Sequence, residues 1–296
     1  MVIATGFFDG VHLGHRFILR QLVEEARRRN DESMVVTFWP HPRNVLQDDA
    51  RNLRLLTSME EKKALIRSIG VDHIEVIPFT KEFCRLSAEE YLRDYIVGKF
   101  GGKAILVGYD NRIGSDQCTP EQTAEIARRL GLDVIRPERF VSDAGIVISS
   151  TKIRNSLQMG DIEKADSMLG YQYQLYGVVV SGNRLGHTIG FPTANMQLYE
   201  PLKLIPGNGV YLVKVETLGR VYDGMCNIGV RPTLGSGNAL TVETNIFDFN
   251  EDIYGLDIRL SFVFKIRNEV KFNDFSVLAG QLEKDRAHCR ILLREK

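Results

Sequence analysis

The chain has 296 residues, of which 44% are hydrophobic, and its formal net charge is zero. This length suits two domains of roughly 100–200 residues each, and the apolar fraction argues against a disordered chain. A balanced charge argues against a nucleic-acid binder, which usually carries a basic excess. The four cysteines form no C-x-x-C pair, which indicates a reducing compartment without a disulfide framework or a zinc site.

The sequence contains no run of 18 apolar residues, so we expect no membrane span. A strand is predicted within two residues of Met1, which leaves no room for a signal peptide. We therefore expect a cytoplasmic protein whose partners are neither membranes nor nucleic acids.

The first half of the chain alternates apolar runs with helical periodicity. Strands are predicted at 2–5, 34–38, 74–77, 104–107 and 133–135, and helices at 15–29, 60–68, 88–100 and 121–130. Such alternation is typical of a Rossmann-like parallel sheet with right-handed crossovers. Ligands of these sheets bind at the carboxyl ends of strands, where the loops at Gly6, 40–42 and Gly108 are expected.

The second half of the chain has a different pattern. After a helical stretch at 152–169, strands are predicted without intervening helices at 177–181, 210–217, 220–227, 241–247 and 257–266. This predicts a small antiparallel barrel or sandwich, followed by a helix from about Ser276 to Leu293. We place the domain boundary between residues 1–169 and 170–296.

The segment G-F-F-D-G-V-H-L-G-H at residues 6–15 follows a strand and opens a helix. Its glycines let the backbone approach a bulky anion, and the helix start offers free N–H donors and a positive dipole end. His12 and His15 are three residues apart, so both can face one site. Together these features suit the triphosphate of ATP. The alternative is a tight strand–helix turn with two surface histidines.

The segment S-S-T-K-I-R at residues 149–154 also precedes a helix. Ser or Thr can cap that helix, but Lys152 and Arg154 are unfavourably placed for its dipole. A bound polyphosphate would explain both cations, and an ordinary capped surface helix is an equally good reading.

A second glycine-rich segment, at residues 182–195, ends in F-P-T-A-N. Its backbone N–H groups can wrap phosphates, although it lacks the G-K-[ST] of a Walker A loop. Thr193 and Asn195 offer neutral oxygens, which is adequate for Mg²⁺ because that ion keeps mostly water and phosphate ligands. The alternative is a hairpin loop with a capping Asn.

These motifs resemble those of one known family. Residues 6–15 and 149–154 look like the two signatures of nucleotidylyltransferases, and T-F-W-P-H-P at 37–42 looks like a motif of their flavin-specific branch. F-P-T-A-N resembles the riboflavin kinase signature, and V-E-T-N-I-F-D at 242–248 resembles that kinase's catalytic strand. The chain is thus similar to the bacterial bifunctional riboflavin kinase/FAD synthetase family.

The resemblance implies an α/β Rossmann-like nucleotidylyltransferase domain followed by an antiparallel β-barrel riboflavin kinase domain with a C-terminal helix. It implies phosphorylation of riboflavin to FMN with ATP and adenylylation of FMN to FAD with a second ATP. Mg²⁺ would accompany ATP, and Thr193 and Asn195 would hold it.

The resemblance also implies roles for individual residues. Glu243 would be the kinase's catalytic base, although a surface Glu on a strand is the ordinary alternative, and His12, His15 and Arg154 would stabilise charge during adenylylation. ATP contacts are expected at Gly6, Phe7, Asp9, Gly10, Gly14, Ser150, Thr151, Gly182, Arg184, Gly186 and Gly190. Flavin contacts are expected at Phe38, His41, Pro42, Asp110, Asn227 and Arg231.

One segment departs from the family pattern. At residues 108–117, Ile113 stands where an aromatic residue is usual and Gln117 where a basic residue is usual. This departure predicts slower FAD synthesis unless Arg112 supplies the charge. It keeps open a kinase with a weakened or inactive adenylyltransferase, and a flavin- or nucleotide-binding sensor without turnover is the alternative from another class. A cytidylyltransferase or pantetheine-type transferase is less compatible with F-P-T-A-N.

Overall fold

The structure is a computed structural model that describes residues 1–41, 53–109, 111–138, 140–141, 147–182, 190–232, 238–270, 272 and 274–294. By their internal packing the residues form two compact units, Met1–Ser150 and Thr151–Lys296. We refer to them as the α/β unit and the barrel unit.

The α/β unit contains a five-stranded parallel sheet. Its strands are β1 Val2–Thr5, β2 Ser33–Trp39, β3 His73–Pro78, β4 Ala104–Leu106 and β5 Asp133–Ile135, in the spatial order β3-β2-β1-β4-β5. The helices are α1 Leu13–Arg28, α2 Met59–Arg67, α3 Ala88–Tyr91, which continues as a π-helix over Leu92–Lys99, and α4 Pro120–Arg129. The predicted Rossmann-like layer is confirmed.

The central strand β1 separates the two cores of this unit. Side chains alternate between the faces of a strand, so Ile3 enters one core while Val2 and Ala4 enter the other. The strand order reverses between β1 and β4, and the crevice at such a switch point is where ligands of open α/β sheets bind. The fold therefore directs attention to the loops that follow β1 and β4.

The barrel unit contains a closed six-stranded barrel. It begins with α5 Ser150–Met159 and α6 Ile162–Leu169 and ends with α7 Phe275–Arg294. Its strands are β6 Gln174–Val180, β7 Ala194–Leu198, β8 Gly209–Thr217, β9 Arg220–Pro232, β10 Asn238–Ile246 and β11 Asp257–Arg267, in the order β10-β7-β6-β11-β8-β9. The predicted antiparallel barrel is confirmed. The prediction missed β7, because A-N-M-Q-L is short and its polar residues resemble a loop.

The C-terminal helix α7 is held to the barrel by apolar and charged contacts. Cys289 is fully buried in a cluster with Val210 and Leu212 of β8. Asp285, only 3% exposed, accepts hydrogen bonds from both Nε and Nη2 of Arg267 on β11. Charge-assisted bonds of this kind contribute about 1.5–3 kcal/mol each when desolvated.

Helices α5 and α6 belong by their contacts to the barrel unit. The N–H of Gly207 donates to the carbonyl of Leu157 on α5 at 2.8 Å, and the N–H of Tyr173 donates to Asp166 on α6 at 2.8 Å. Helix α6 also packs against β11. The packing boundary thus lies at 150/151, in the first turn of α5, whereas the change in sequence pattern predicts 169/170.

This difference leads to a prediction about fragments. Four apolar side chains of α6 are buried, namely Ile162, Ala165, Met168 and Leu169. A fragment that starts at residue 171 loses them and exposes their partners, at about 1.5–3 kcal/mol for each large side chain. We expect the 151–296 fragment to unfold at a clearly higher urea concentration than the 171–296 fragment, measured by circular dichroism. Equal midpoints would show that the two helices do not stabilise the barrel.

Candidate functional site

The loop after β1 has an unusual backbone. Phe8 and Val11 have positive φ values of 48° and 35°, and Gly10 has a φ of 79°. Non-glycine residues in this region cost about 1–3 kcal/mol each and persist where the surroundings fix them, often at functional sites.

The carboxylate of Asp9 fixes the loop by joining it to the segment at Leu56 and Thr57. It is 3% exposed and accepts hydrogen bonds from the N–H groups of Leu56 and Thr57 and from the Thr57 hydroxyl. The Thr57 hydroxyl in turn accepts from the N–H of Gly10 at 3.1 Å. Asp9 and Gly10 were both predicted to contact ATP. The Asp9 carboxylate and the Gly10 N–H instead form hydrogen bonds within the fold.

The two histidines stand together at the start of α1. His12 is the N-cap residue, and its Nδ1 accepts a hydrogen bond from the N–H of His15 at 3.3 Å. The two rings stack with centroids 3.6 Å apart. The Nδ1 of His15 is buried and has no hydrogen-bond partner among the described residues. The site therefore contains an unused polar atom beside a helix start.

Both histidines are neutral in this environment. Burial lowers the pKa of His12 to about 4, although the Asp9 carboxylate opposes the shift. Burial also lowers the pKa of His15 well below its usual value, and His12 and Lys62 add to that effect. Because Nδ1 of His12 accepts a hydrogen bond, its proton is on Nε2. At pH 7 the pair offers N–H donors but no net charge.

The 149–154 segment is linked to this loop by Ser150. Its hydroxyl donates to the carbonyl of Asp9 at 2.9 Å. Thr151 and Arg154 follow on α5, where Thr151 is exposed and Arg154 is half-buried. The structure thus places Ser150 beside the loop at residues 6–15, and its predicted contact with ATP stays a prediction.

An aromatic cavity of about 450 Å³ opens beside the loop. That volume lies within the range of small-molecule pockets. Mostly apolar and aromatic side chains surround it. The lining comprises Thr5, Gly6, Phe7, Phe38, Phe79, Phe83, Cys84, Leu86, Tyr91, Asn111, Arg112, Ile113, Gly114, Ser115 and Gln117.

Three aromatic residues that line this cavity were not predicted from the sequence. Phe79, Phe83 and Tyr91 contact Phe38 with ring centroids 5.7–6.2 Å apart, and the Tyr91 hydroxyl is 2.8 Å from that of Thr5. The signal was the repetition of aromatic residues between 79 and 95. Phe38 was predicted to contact the flavin, and it lines the cavity. The ring of His41 packs against that of Phe7 at 3.8 Å, whereas Pro42 and Asp110 lie outside the described residues.

The loop that departs from the family pattern borders the same cavity. Ile113, Gly114 and Gln117 all line it. Gly114 has a φ of 79°, and a Cβ there would lie 2.2 Å from the N atom of Ala88, so only glycine fits. The Arg112 guanidinium donates to the carbonyl of Gln117 at 3.3 Å. The two unusual residues therefore border the aromatic cavity.

In the barrel unit, strand register gathers a second group of polar side chains. Glu243 on β10 pairs directly with Asn195 on β7 and with Asn227 on β9. Directly paired residues point to the same face with Cβ atoms about 4.5–5.5 Å apart. Val242 and Thr244, of opposite parity, are buried in the barrel, so this half-buried row lies on the outer face. We call Asn195, Glu243 and Asn227 the polar row.

Neighbouring residues hold the F-P-T-A-N segment against the polar row. The Asn245 amide donates to the carbonyl of Pro192 at 2.7 Å, a contact that the sequence analysis missed. A Cβ on Gly182 would lie 2.3 Å from the Asn195 amide nitrogen, so glycine permits a close backbone approach. Thr193 is half-buried and directly precedes β7, and Gly190 has a φ of 80°. Arg184, Gly186 and the side chain of Arg231 lie outside the described residues.

The polar row and Thr193 also suit a magnesium ion. Asn195 and Thr193 provide neutral oxygens, which are hard ligands of the kind that Mg²⁺ accepts, and Glu243 lies beside Asn195 without being needed as a ligand. No group of three or more His, Cys, Asp or Glu side chains that could hold a metal occurs among the described residues. Any Mg²⁺ here would therefore rely on these few oxygens, water and phosphate.

Comparisons with known proteins give a family match for each half of the chain. Residues 1–152 match the family model for FAD synthetase, and residues 169–293 match the model for riboflavin kinase. The bifunctional riboflavin kinase/FMN adenylyltransferase of Bacillus subtilis is 36% identical over 96% of this chain and 90% of its own length. The Escherichia coli protein of the same name is 36% identical over 98% of this chain and 91% of its own length.

The chain belongs to the bifunctional riboflavin kinase/FMN adenylyltransferase family. Its α/β unit contains the FAD synthetase match up to Ser150, and its barrel unit contains the riboflavin kinase match. A crystal structure described as a macrolide-efflux protein from Streptococcus pneumoniae is also similar, with a TM-score of 0.88, 33% identity and coverage of 98% of this chain and 93% of that one. Among the described helices, none is long and apolar enough to cross a membrane.

The neutral state of His12 predicts a pH dependence of stability. The folded pKa of about 4 lies below the unfolded value of 6.5, so folding favours the neutral form. This stability is fully present above pH 6.5 and is lost as the pH falls toward 4, by about 2 kcal/mol between pH 7 and 5. His12→Asn keeps an N-cap residue but removes the titration. We expect urea unfolding to show a weaker pH dependence in the variant by about that amount, and identical curves would contradict a buried neutral His12.

The cavity loop predicts a gain of function. Gln117 is exposed at the cavity edge, so an arginine there adds a charge without disturbing the core. A charge-assisted hydrogen bond of about 1.5–3 kcal/mol corresponds to a rise of roughly 10- to 100-fold in kcat/KM. We expect Gln117→Arg to accelerate FMN adenylylation by that order, alone and combined with Ile113→Phe, with riboflavin phosphorylation as the internal control.

Arg112 provides the opposing outcome for this prediction. If Arg112 already supplies the charge, Gln117→Arg changes nothing and Arg112→Gln alone reduces adenylylation. That combination of results would show that the departure from the family pattern is compensated.

Proposed function

We propose that the barrel unit phosphorylates riboflavin to FMN and that the α/β unit adenylylates FMN to FAD, each with ATP. The observation that carries the proposal is that each unit holds one site suited to one of these reactions. The polar row provides a carboxylate beside oxygen ligands, and the aromatic cavity opens beside the loop that leads into the N-terminus of α1.

The kinase reaction needs a base because its nucleophile is a neutral hydroxyl. In our proposal Glu243 accepts the proton of the ribityl primary hydroxyl as that oxygen attacks the γ-phosphorus of ATP, and ADP leaves. Asn195 and Thr193 would hold Mg²⁺, which supplies charge neutralisation for the phosphates when bound. Asn245 supports this arrangement because it fixes the carbonyl of Pro192 just before Thr193.

The adenylyl transfer needs no base because the FMN phosphate is already an anion. One of its oxygens attacks the α-phosphorus of ATP and pyrophosphate leaves, so the task is positioning and charge stabilisation. In our proposal the Nε2–H of His12, together with His15, binds phosphate oxygens, and Ser150 holds the loop through the carbonyl of Asp9. The rings of Phe38, Phe79 and Phe83 offer stacking and edge contacts for the flavin ring.

One time course tests the two-step function. The protein is incubated with riboflavin, ATP and Mg²⁺, and the products are separated by chromatography. The proposal expects FMN to appear first and FAD to follow. FMN without FAD would favour the kinase with an inactive adenylyltransferase. No product at all would favour a non-catalytic flavin sensor.

Glu243 gives the specific prediction for the kinase. We expect Glu243→Gln to lower riboflavin phosphorylation by about 10²–10⁴-fold, because the amide cannot accept the proton. Adenylylation of added FMN should continue at the wild-type rate. Glu216→Gln is the matched control, since Glu216 is an exposed strand carboxylate that pairs with Arg259. Normal kinase turnover in Glu243→Gln would remove Glu243 as the base.

A further inference from the structure

Lys62 is a lysine in an unusual position. It belongs to helix α2 and is only 2% exposed. Lysine side chains are almost never fully buried unless they are paired, because desolvating an ammonium group costs several kcal/mol. Its neighbour Lys63 shows the ordinary behaviour, since it pairs with Glu60 on the helix surface. The burial of Lys62 therefore needs an explanation.

The ammonium group of Lys62 lies next to the loop at residues 6–15. Its Nζ is 4.2 Å from the centroid of the Phe7 ring. Phe7 is in the loop after β1. After burial and His12, the positive charge of Lys62 also lowers the pKa of His15, in the first turn of α1. A cation over an aromatic ring gains about 0.5–2 kcal/mol, which does not replace the lost hydration.

The described residues provide no close anionic partner for Lys62. No ion pair or side-chain hydrogen bond to its Nζ occurs among them. The Asp9 carboxylate attracts the ammonium group only at longer range, and its oxygens already accept hydrogen bonds from Leu56 and Thr57. Burial lowers the pKa of Lys62 to about 8, so the group is mostly protonated at pH 7. A buried cation that has no close counter-ion among the described residues is suited to binding an anion.

The loop also lacks the charge that its proposed substrate requires. ATP and FMN are both anions, and negative charge grows on the departing pyrophosphate. His12 and His15 are neutral, so they donate hydrogen bonds but do not neutralise this charge. Preorganised positive charge in a site of low dielectric constant is usually the largest contribution to such a reaction.

We infer that Lys62 is an anion-binding residue of the adenylyltransferase site, whose ammonium group neutralises ATP phosphates held on the loop at residues 6–15. The inference rests on the proposed adenylyltransferase function and adds a residue that no sequence motif indicated. M-E-E-K-K has the appearance of an ordinary charged helix surface. The proposed substrate supplies the close counter-ion that Lys62 lacks among the described residues.

Three variants test this inference in the full-length protein. Lys62→Met removes the charge but keeps an apolar chain of similar length, Lys62→Arg keeps the charge, and Lys63→Met is the matched surface control. We expect Lys62→Met to lower kcat/KM for ATP in FMN adenylylation by about 100-fold. The KM for FMN should change less than threefold, because the flavin cavity is intact. Lys62→Arg should recover part of the loss, and Lys63→Met should stay within twofold of wild type.

The structural alternative is that Lys62 only balances the buried charge of Asp9. In that case Lys62→Met would lower the unfolding midpoint in urea and weaken FMN binding together with ATP use. Riboflavin phosphorylation by the same variant shows whether the chain is folded. Adenylylation within threefold of wild type in Lys62→Met, or an equal loss of FMN and ATP binding, would overturn the inference.

A binding measurement separates this inference from the proposed function. Pyrophosphate is titrated into the wild-type protein and into Lys62→Met by calorimetry. We expect the variant to lose at least tenfold in affinity at one site, and unchanged binding would overturn the inference. If the wild-type protein makes no FAD, the proposed function fails, and the pyrophosphate titration alone then decides the role of Lys62.

Discussion

The buried carboxylate of Asp9 is the contact on which the α/β site depends. It joins the loop after β1 to the backbone of Leu56 and Thr57, 47 and 48 residues further along the chain. This contact holds Phe8, Gly10 and Val11 in their positive-φ conformations and places the start of α1. It also brings α2, and with it Lys62, beneath the loop. A single acidic side chain thereby organises the proposed anion site while its own oxygens accept hydrogen bonds from Leu56 and Thr57.

In the barrel unit the corresponding constraint is strand register. Asn195, Glu243 and Asn227 come from three strands, and they meet because β7, β10 and β9 pair at these residues. A shift of one residue would turn Glu243 into the barrel and expose Val242 or Thr244. The apolar alternation of β10 prevents that shift, since burying its apolar residues fixes which face Glu243 occupies. The core of the barrel thus selects the position of its proposed base.

The elements were predictable from the sequence and the long-range contacts were not. Glycine, histidine and apolar periodicity act locally, so the loop at 6–15, its two histidines and nearly every strand could be predicted. The role of Asp9 depends on Thr57, and the docking of α6 depends on β11, which are pairings that no local pattern encodes. The burial of Lys62 could not be predicted for the same reason. It involves a contact with Phe7, which is distant in sequence, and M-E-E-K-K gives no sign of it. The rings of residues 79–95 indicate an aromatic cluster in the sequence, but not that the cluster lines a cavity.

The two sites differ in the way that their proposed nucleophiles require. A ribityl hydroxyl must lose a proton to attack, and the polar row accordingly contains an ionisable carboxylate among neutral oxygens. An FMN phosphate is already charged, so a carboxylate near it would repel the nucleophile. In the α/β site the Asp9 carboxylate instead accepts backbone hydrogen bonds, and the two histidines are neutral. Neutral donors bind two anions without favouring either, and a nearby cation such as Lys62 then offsets the charge that develops between them. The charge state of the nucleophile therefore accounts for which site has a base and which has a buried lysine.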